Sequence, residues 1–245
     1  MKLSACGKSD VGLVRDNNED SYFVSEPDGL FLIADGMGGH VAGEIASEMA
    51  VRQVCDRVIP QLGKMKTNGD IGCTLADAAH AANTFIVQAT ARNPSWQGMG
   101  TTLTILLVQS DVAYLTHVGD SRLYRFRSGQ LTQLSEDHTL VEDQLRRGLI
   151  SAAEAKSSNM RNILLQAVGI APDLEIFQKQ FSFAENDLFL LCSDGLTDML
   201  TDKKIAAYCE AETDITQLCD QLVAGAKDAG GKDNITVVLV RVDRR

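Results

Sequence analysis

The sequence predicts an α+β fold: two antiparallel β-sheets packed face to face with helix pairs outside, an α-β-β-α sandwich of four layers. Three observations carry this reading. Eight short runs, SYFVSE, LFLIAD, TTLTILLVQ, VAYLTHVG, RLYRFRSG, IFQKQFSF, DLFLLCSD and NITVVLVRV, are rich in β-branched and aromatic residues and bounded by Gly, Asp, Asn or Ser. Two hairpins join some of them, with tight polar turns at Ser110-Asp111 and Ser128-Gly129. Tight hairpins belong to antiparallel sheets and not to doubly wound parallel ones. The helical segments stand apart from the strands along the chain, so they cover the sheets from outside.

In chain order, the first two strands are followed by a helix in AGEIASEMAVRQVCDRVIPQL, where Ala46, Met49, Ala50, Gln53 and Val54 form a stripe. KMKTNGD reads as the loop to a second, alanine-rich helix, IGCTLADAAHAANTFIVQATAR. Leu75, Ala78, Ala79, Ala82, Phe85 and Ile86 share one face of it, and His80 reads as a core or surface residue without a ligand role. After three strands and the second hairpin come short helices in LVEDQLRRG and SAAEAKSS, then two more strands. TDKKIAAYCE and ITQLCDQLVAGAKDAG form the second helix pair before the last strand, and Thr201 is the expected N-cap of the first of these. No repeat or low-complexity linker divides residues 1–245, which read as one domain.

Composition narrows the function. The chain has 245 residues, 44% hydrophobic and 23% charged, the profile of a globular protein with a substantial core. A net charge of -10 and the lack of a basic stripe argue against nucleic acid. No apolar run is long enough to cross a membrane, and MKLSACGKSD lacks the apolar core of a signal peptide, so a cytoplasmic protein is expected. The six cysteines make no C-x-x-C pair and read as small hydrophobes of a reducing compartment. Cys192 is a conceivable nucleophile, but its neighbour Asp194 has the better claim to function.

FLIADGMGGH, residues 31–40, sets the functional question: a core-like strand ends in a carboxylate, three glycines and a histidine. Alone, Asp35-Gly36 reads as a turn, as does Asp194-Gly195. Yet acidic residues adjoin five apolar strands: Glu19 and Asp20, Asp35, Asp120, Asp194 and Asp233. Antiparallel order gathers distant strand ends at one edge of a sandwich. Carboxylates crowded there repel one another, and divalent cations keep them ionised. With no Cys or His cluster, oxygen donors favour Mg²⁺ or Mn²⁺. DNNEDSYFVSEP begins like a calcium loop at Asp16, but Ser21 and Pro27 stand where glycine and glutamate belong.

SDVGLVRDNNEDSY, LFLIADGMGGHVAGEIAS, GMGTTLTILLV, AYLTHVGDSRLYRFRSGQLTQLSEDHTL, NILLQAVG, DLFLLCSDGLTDML and GGKDNITVVLVRV resemble, in order, the metal-dependent Ser/Thr protein phosphatases of type 2C, the PPM family, in their bacterial form. The resemblance implies hydrolysis of phosphoserine and phosphothreonine in proteins by a metal-bridging water, without a phosphoenzyme. It implies two core ions of Mn²⁺ or Mg²⁺ and a weaker third. Asp35 resembles the bridging ligand, with the Gly36 carbonyl on one ion. Asp194 and Asp233 hold the other ion, and Glu19 and Asp20 support the site. Asp120 and Asp198 match positions that, with Asp194, hold the third ion; Asp198 also reads as a plain helix N-cap. Arg15 resembles the phosphate-binding arginine. Met37 stands where eukaryotic members carry a histidine, so His40 is the candidate general acid. Gly38 and Gly39 are expected to bring the backbone close to the metals, Gly100 to spare the centre a side chain, and Asn234 to tie its loop. Residues 139–162 resemble a flap beside the active site. Expected partners are phosphoprotein substrates, a Ser/Thr kinase and forkhead-associated domain proteins, as in bacterial signalling. The alternative is a metal-dependent phosphohydrolase of small metabolites or nucleotides, although no Walker-type loop is present.

Overall fold

The structure is a computed structural model that describes residues 2–38, 42–65 and 67–243. One antiparallel sheet runs β1 (Lys2–Asp10), β11 (Ile235–Asp243), β10 (Leu188–Cys192), β7 (Arg122–Arg127) and β8 (Gln130–Gln133). The other runs β2 (Asp20–Ser25), β3 (Leu30–Met37), β5 (Leu103–Gln109), β6 (Val112–Val118) and β9 (Phe177–Ser182), with the two-residue β4 (Gly100–Thr101) beside β3. Both expected turns are present: Ser110 at φ +56° joins β5 to β6, and Ser128 and Gly129 at φ +51° and +77° join β7 to β8. Consecutive positive φ values match the twist of a tight hairpin.

The layers follow from strand alternation. Along β3, Leu30 and Leu32 pack against α1 (Gly43–Val58) and α2 (Asn68–Arg92), whereas Phe31 and Ile33 point at the other sheet. Along β10, Leu190 and Cys192 pack against α6 (Asp202–Ala211) and α7 (Ile215–Asp228), whereas Phe189 and Leu191 meet Phe31 and Ile33 in the middle. Three apolar layers therefore separate four layers of secondary structure, as the sequence predicts. No helix among the described residues is long and apolar enough to cross a membrane.

Four local expectations need correction. β1 is absent from the sequence reading, because KLSACGKSD carries little apolar signal; its nine residues pair in register with β11, and that ladder makes it a strand. The second helix begins at Asn68, inside the expected loop, because Thr67 and Asp70 form a reciprocal capping box. Phe85 is exposed, while Leu75, Ala78, Ala79, Ala82 and Ile86 are buried. The one-turn α5 (Asp194–Thr197) is likewise not expected from the sequence. Thr201 caps α6 as expected, accepting from the Lys204 N–H. Between β8 and β9 the chain forms α3 (Leu140–Arg146) and α4 (Ala152–Ser157).

Candidate metal centre

At one end of the sandwich the middle layer changes from apolar to polar. On β3 the inward series Phe31, Ile33 continues to Asp35; on β10, Phe189 and Leu191 lead to Ser193; on β11, Val240 and Val238 lead to Thr236. Asp20 lies directly across from Asp35 in the β2–β3 ladder, so both carboxylates face the same way. Asp20 is anchored: one of its oxygens accepts from Thr236 Oγ1 at 2.6 Å and from Ser193 Oγ at 2.8 Å. Its other oxygen, Oδ1, is buried without a donor among the described residues. The Asp35 carboxyl opposite Asp20 could donate only when protonated.

Arg15, Glu19, Asp35, Gly36, Asp120, Asp194 and Asp233 line one open cleft, together with Met37, Gly38, Thr102, Asn162 and Leu164. Burial, then the charges of Asp20, Asp194 and Asp120, push the Asp35 carboxyl well above the usual range. Burial followed by Asp120 and Asp233 does the same to Asp194. Burial raises Asp20 and Asp120 to about 6 each. Glu19 is raised by burial and by Glu44. Asp233 is engaged by a cation, accepting from Arg15 Nη2 at 2.7 Å while half of the Arg15 side chain stays exposed.

The donor set fits hard divalent cations. It is all oxygen, it carries a surplus of buried negative charge, and it holds an orphaned carboxylate oxygen. Among the described residues, no three His, Cys, Asp or Glu side chains already form a closed cluster around one point, so the carboxylates are a lining and not a preformed cage. Gly36 is required by space: a Cβ there would lie 2.2 Å from the Gly43 carbonyl oxygen and 2.5 Å from that of Glu19. The Gly36 N–H donates to the same Glu19 carbonyl at 3.1 Å.

The remaining expectations fall as follows. Asn234 ties its loop: its Nδ2 donates to the carbonyls of Val11 and Asn17, and its Oδ1 accepts from the Glu19 N–H. Asp198 is not a helix N-cap; it closes α5 at its C-terminal end, and its carboxylate lies 3.4 Å from Arg161 Nη2, outside the cleft lining. A Cβ on Gly100 would meet Ile170 and the Val168 carbonyl, not the carboxylates, so that expectation is corrected too. His40 and Gly39 lie outside the described residues. Cys192 faces the helix-side core, where burial pushes its thiol far up, away from nucleophilic use.

Sequence reasoning missed Thr102, Ser193 and Thr236. Thr102 is a junction: its Oγ1 accepts from the Asp35 N–H at 2.9 Å and lies 2.8 Å from Ser121 Oγ, and its N–H donates to the Asp35 carbonyl. The available signal was a polar residue prolonging the inward alternation of an apolar strand.

The crowding has a measurable consequence. A carboxyl raised in the fold holds a proton that the unfolded chain releases near pH 4, so it lowers stability as pH rises through its folded value. In chelated protein, Asp35→Asn should melt higher than the parent at pH 7.5, by about 2–4 °C per kcal/mol relieved, and the gap should close towards pH 4.5. Terms from other groups, such as the buried His117, are common to both proteins. A gap that is absent at pH 7.5 or independent of pH would contradict the repulsion.

The protein phosphatase 2C model matches residues 14–236. The chain belongs to the protein phosphatase 2C family. The serine/threonine phosphatase stp of Listeria monocytogenes is 36% identical over 239 residues, covering 96% of this chain and 94% of that protein. The crystal structure of the Mycobacterium tuberculosis serine/threonine phosphatase PstP/Ppp superposes with a TM-score of 0.91 at 34% identity, over the full length of both chains. A structure of the PstP catalytic domain in complex with two manganese ions gives 0.87 at 34% identity, covering 99% of each chain. These 2C phosphatases share the two antiparallel sheets that bring the carboxylate-bearing strand ends together here.

Proposed function

We propose that this chain is a Mn²⁺- or Mg²⁺-dependent protein phosphatase that hydrolyses phosphoserine and phosphothreonine. The observation that carries the reading is one cleft in which Asp35, Asp120, Asp194 and Asp233 meet Arg15. Membership of the 2C family and the activity named for its relatives support it. Asp35, the Gly36 carbonyl, Asp194 and Asp233 would hold two core ions, with Glu19 and Asp20 behind them; Asp120, Asp194 and Asp198 would serve a weaker third. When bound, the ions supply Lewis-acid stabilisation and lower the pKa of water, so that water is the nucleophile and no phosphoenzyme forms.

The chain's own residues do the rest. Arg15 offers a planar, permanently charged fork at the edge of the carboxylates, where it can hold two oxygens of a phosphoryl group as charge builds on them. Ser193 and Thr236 fix Asp20, and Thr102 fixes the Asp35 backbone, so little reorganisation is left for the reaction. His40 is proposed to give a proton to the leaving serine or threonine oxygen. Residues 1–245 act as one catalytic domain with residues 139–162 as its flap. Cytoplasmic phosphoproteins modified by a Ser/Thr kinase, including those read by forkhead-associated domains, are the proposed substrates and partners.

Phosphate release from phosphoserine and phosphothreonine peptides, with Mn²⁺, Mg²⁺ or chelator, tests this directly. Turnover that requires metal and exceeds that of nucleotides or sugar phosphates is expected; the reverse preference would replace the proposal with a small-molecule phosphohydrolase. Arg15→Ala should leave Mn²⁺ binding in place, raise KM for a phosphopeptide and lower kcat. A KM at the parent value would remove Arg15 from the phosphate.

A further inference from the structure

We propose that His138 is a positioning residue for Asp120: it grips the Gly119 peptide from both sides and thereby sets the carboxylate that follows. The inference rests on the reading of Asp120 as a metal ligand. The Gly119 N–H donates to His138 Nδ1 at 3.3 Å, and the Gly119 carbonyl accepts from the His138 backbone N–H at 2.7 Å. The same carbonyl lies 3.0 Å from His117 Nε2, and His117 Nδ1 lies 2.9 Å from Thr104 Oγ1. A carbonyl only accepts, so His117 carries a proton on Nε2; burial, which lowers His117 to about 3, leaves its Nδ1 bare to accept from the Thr104 hydroxyl. His138 receives an N–H on Nδ1, which must be bare, so that imidazole is neutral, in keeping with the burial that lowers it.

Gly119 has no side chain by which it could be held. Its φ is +105°, and a Cβ would lie 2.6 Å from Thr102 Cγ2, so the position admits no side chain of its own. Asp120 is thus bracketed: Gly119 is clamped by the two histidines, and Ser121 Oγ stands 2.8 Å from Thr102 Oγ1, the atom that also receives the Asp35 N–H. His138 also ties in the neighbouring segment, since its carbonyl accepts from the Leu165 N–H at 2.8 Å and Thr139 bridges to Leu164, which lines the cleft. One residue thus joins the Asp120 turn to the 164–165 segment. The isolated role of a core histidine would need none of these contacts to Gly119.

Asparagine and glutamine separate positioning from bulk. In His138→Asn the shorter side chain presents an amide oxygen where Nδ1 stands. In His138→Gln the longer amide reaches the Nε2 position and leaves the Gly119 N–H without an acceptor. Mn²⁺ binding to the full chain is measured by calorimetry for the parent, His138→Asn, His138→Gln, Asp120→Asn and the Asp120→Asn/His138→Gln double variant, with melting of the chelated proteins alongside. Asp120→Asn should weaken or remove one binding step. His138→Gln should weaken that step by ~10-fold, the usual scale for losing a group that orients a ligand. His138→Asn should stay within about threefold of the parent. In the Asp120→Asn background His138→Gln should change nothing further. Equal losses for the two substitutions at His138, additive losses in the double variant, or unchanged affinity in His138→Gln would overturn the positioning role while leaving Asp120 as a ligand. Unchanged binding in Asp120→Asn would overturn the ligand assignment and the inference with it.

Discussion

Asp194→Asn should abolish nearly all Mn²⁺-dependent turnover while the protein stays folded. Asp194 follows β10 after Ser193, as the first residue of α5, and lines the cleft with Asp35 and Asp233, its carboxyl raised by burial and by its acidic neighbours. The amide keeps the shape but carries no charge and only one oxygen, so the strongest attraction for a divalent ion at that position is lost. In the metal-free fold the same change relieves repulsion, so chelated Asp194→Asn should melt no lower than the chelated parent at pH 7.5. The Mn²⁺-induced rise in melting temperature should shrink, because a ligand stabilises only in proportion to its binding. Calorimetry and phosphopeptide turnover on one preparation decide the matter. Parent-like metal affinity together with parent-like kcat would falsify the assignment.

His40→Ala should divide substrates by their leaving group. A serine or threonine oxygen departs as a strong base and needs a proton in the transition state; nitrophenolate does not. His40 follows the cleft-lining Gly38 by two residues, in the segment that leads to α1. Turnover of a phosphothreonine peptide should fall by ~10²-fold or more, the scale of general acid catalysis, with a much smaller loss for p-nitrophenyl phosphate at saturating Mn²⁺. Equal losses on both substrates, accompanied by weaker Mn²⁺ binding, would show that His40 orders its loop and that the proton comes from elsewhere.

Much of the architecture was legible because its signals are local. Continuous apolar runs in LFLIAD and DLFLLCSD, bounded by turn residues, mark strands buried on both faces, and the tight polar turns at Ser110-Asp111 and Ser128-Gly129 impose antiparallel order. The acidic residues stood out because they adjoin five apolar strands, and Asp35, Asp120 and Asp194 each sit beside a glycine. β1 escaped notice because KLSACGKSD has no apolar periodicity and becomes a strand only by pairing with β11. Phe85 misled because helical spacing identifies a face, while the width of the buried stripe depends on what packs against it.

By itself, the sequence determined most of the strands, the helix pairs, the four-layer order and the candidate ligands, because propensity, turn chemistry and residue type act over a few neighbouring residues. The tertiary structure alone decided which acids share a cleft and what holds them there. Asp20 and Asp35 become opposed through the β2–β3 register, and Ser193 and Thr236 reach Asp20 from the other sheet, 173 and 216 residues away. Asp198 is set apart from the lining by the turn of α5 and by Arg161. The grip of His138 on Gly119 spans 19 residues. Such contacts depend on register and on sheet-to-sheet packing, which place atoms that are distant in the chain within hydrogen-bonding distance and which no local pattern encodes.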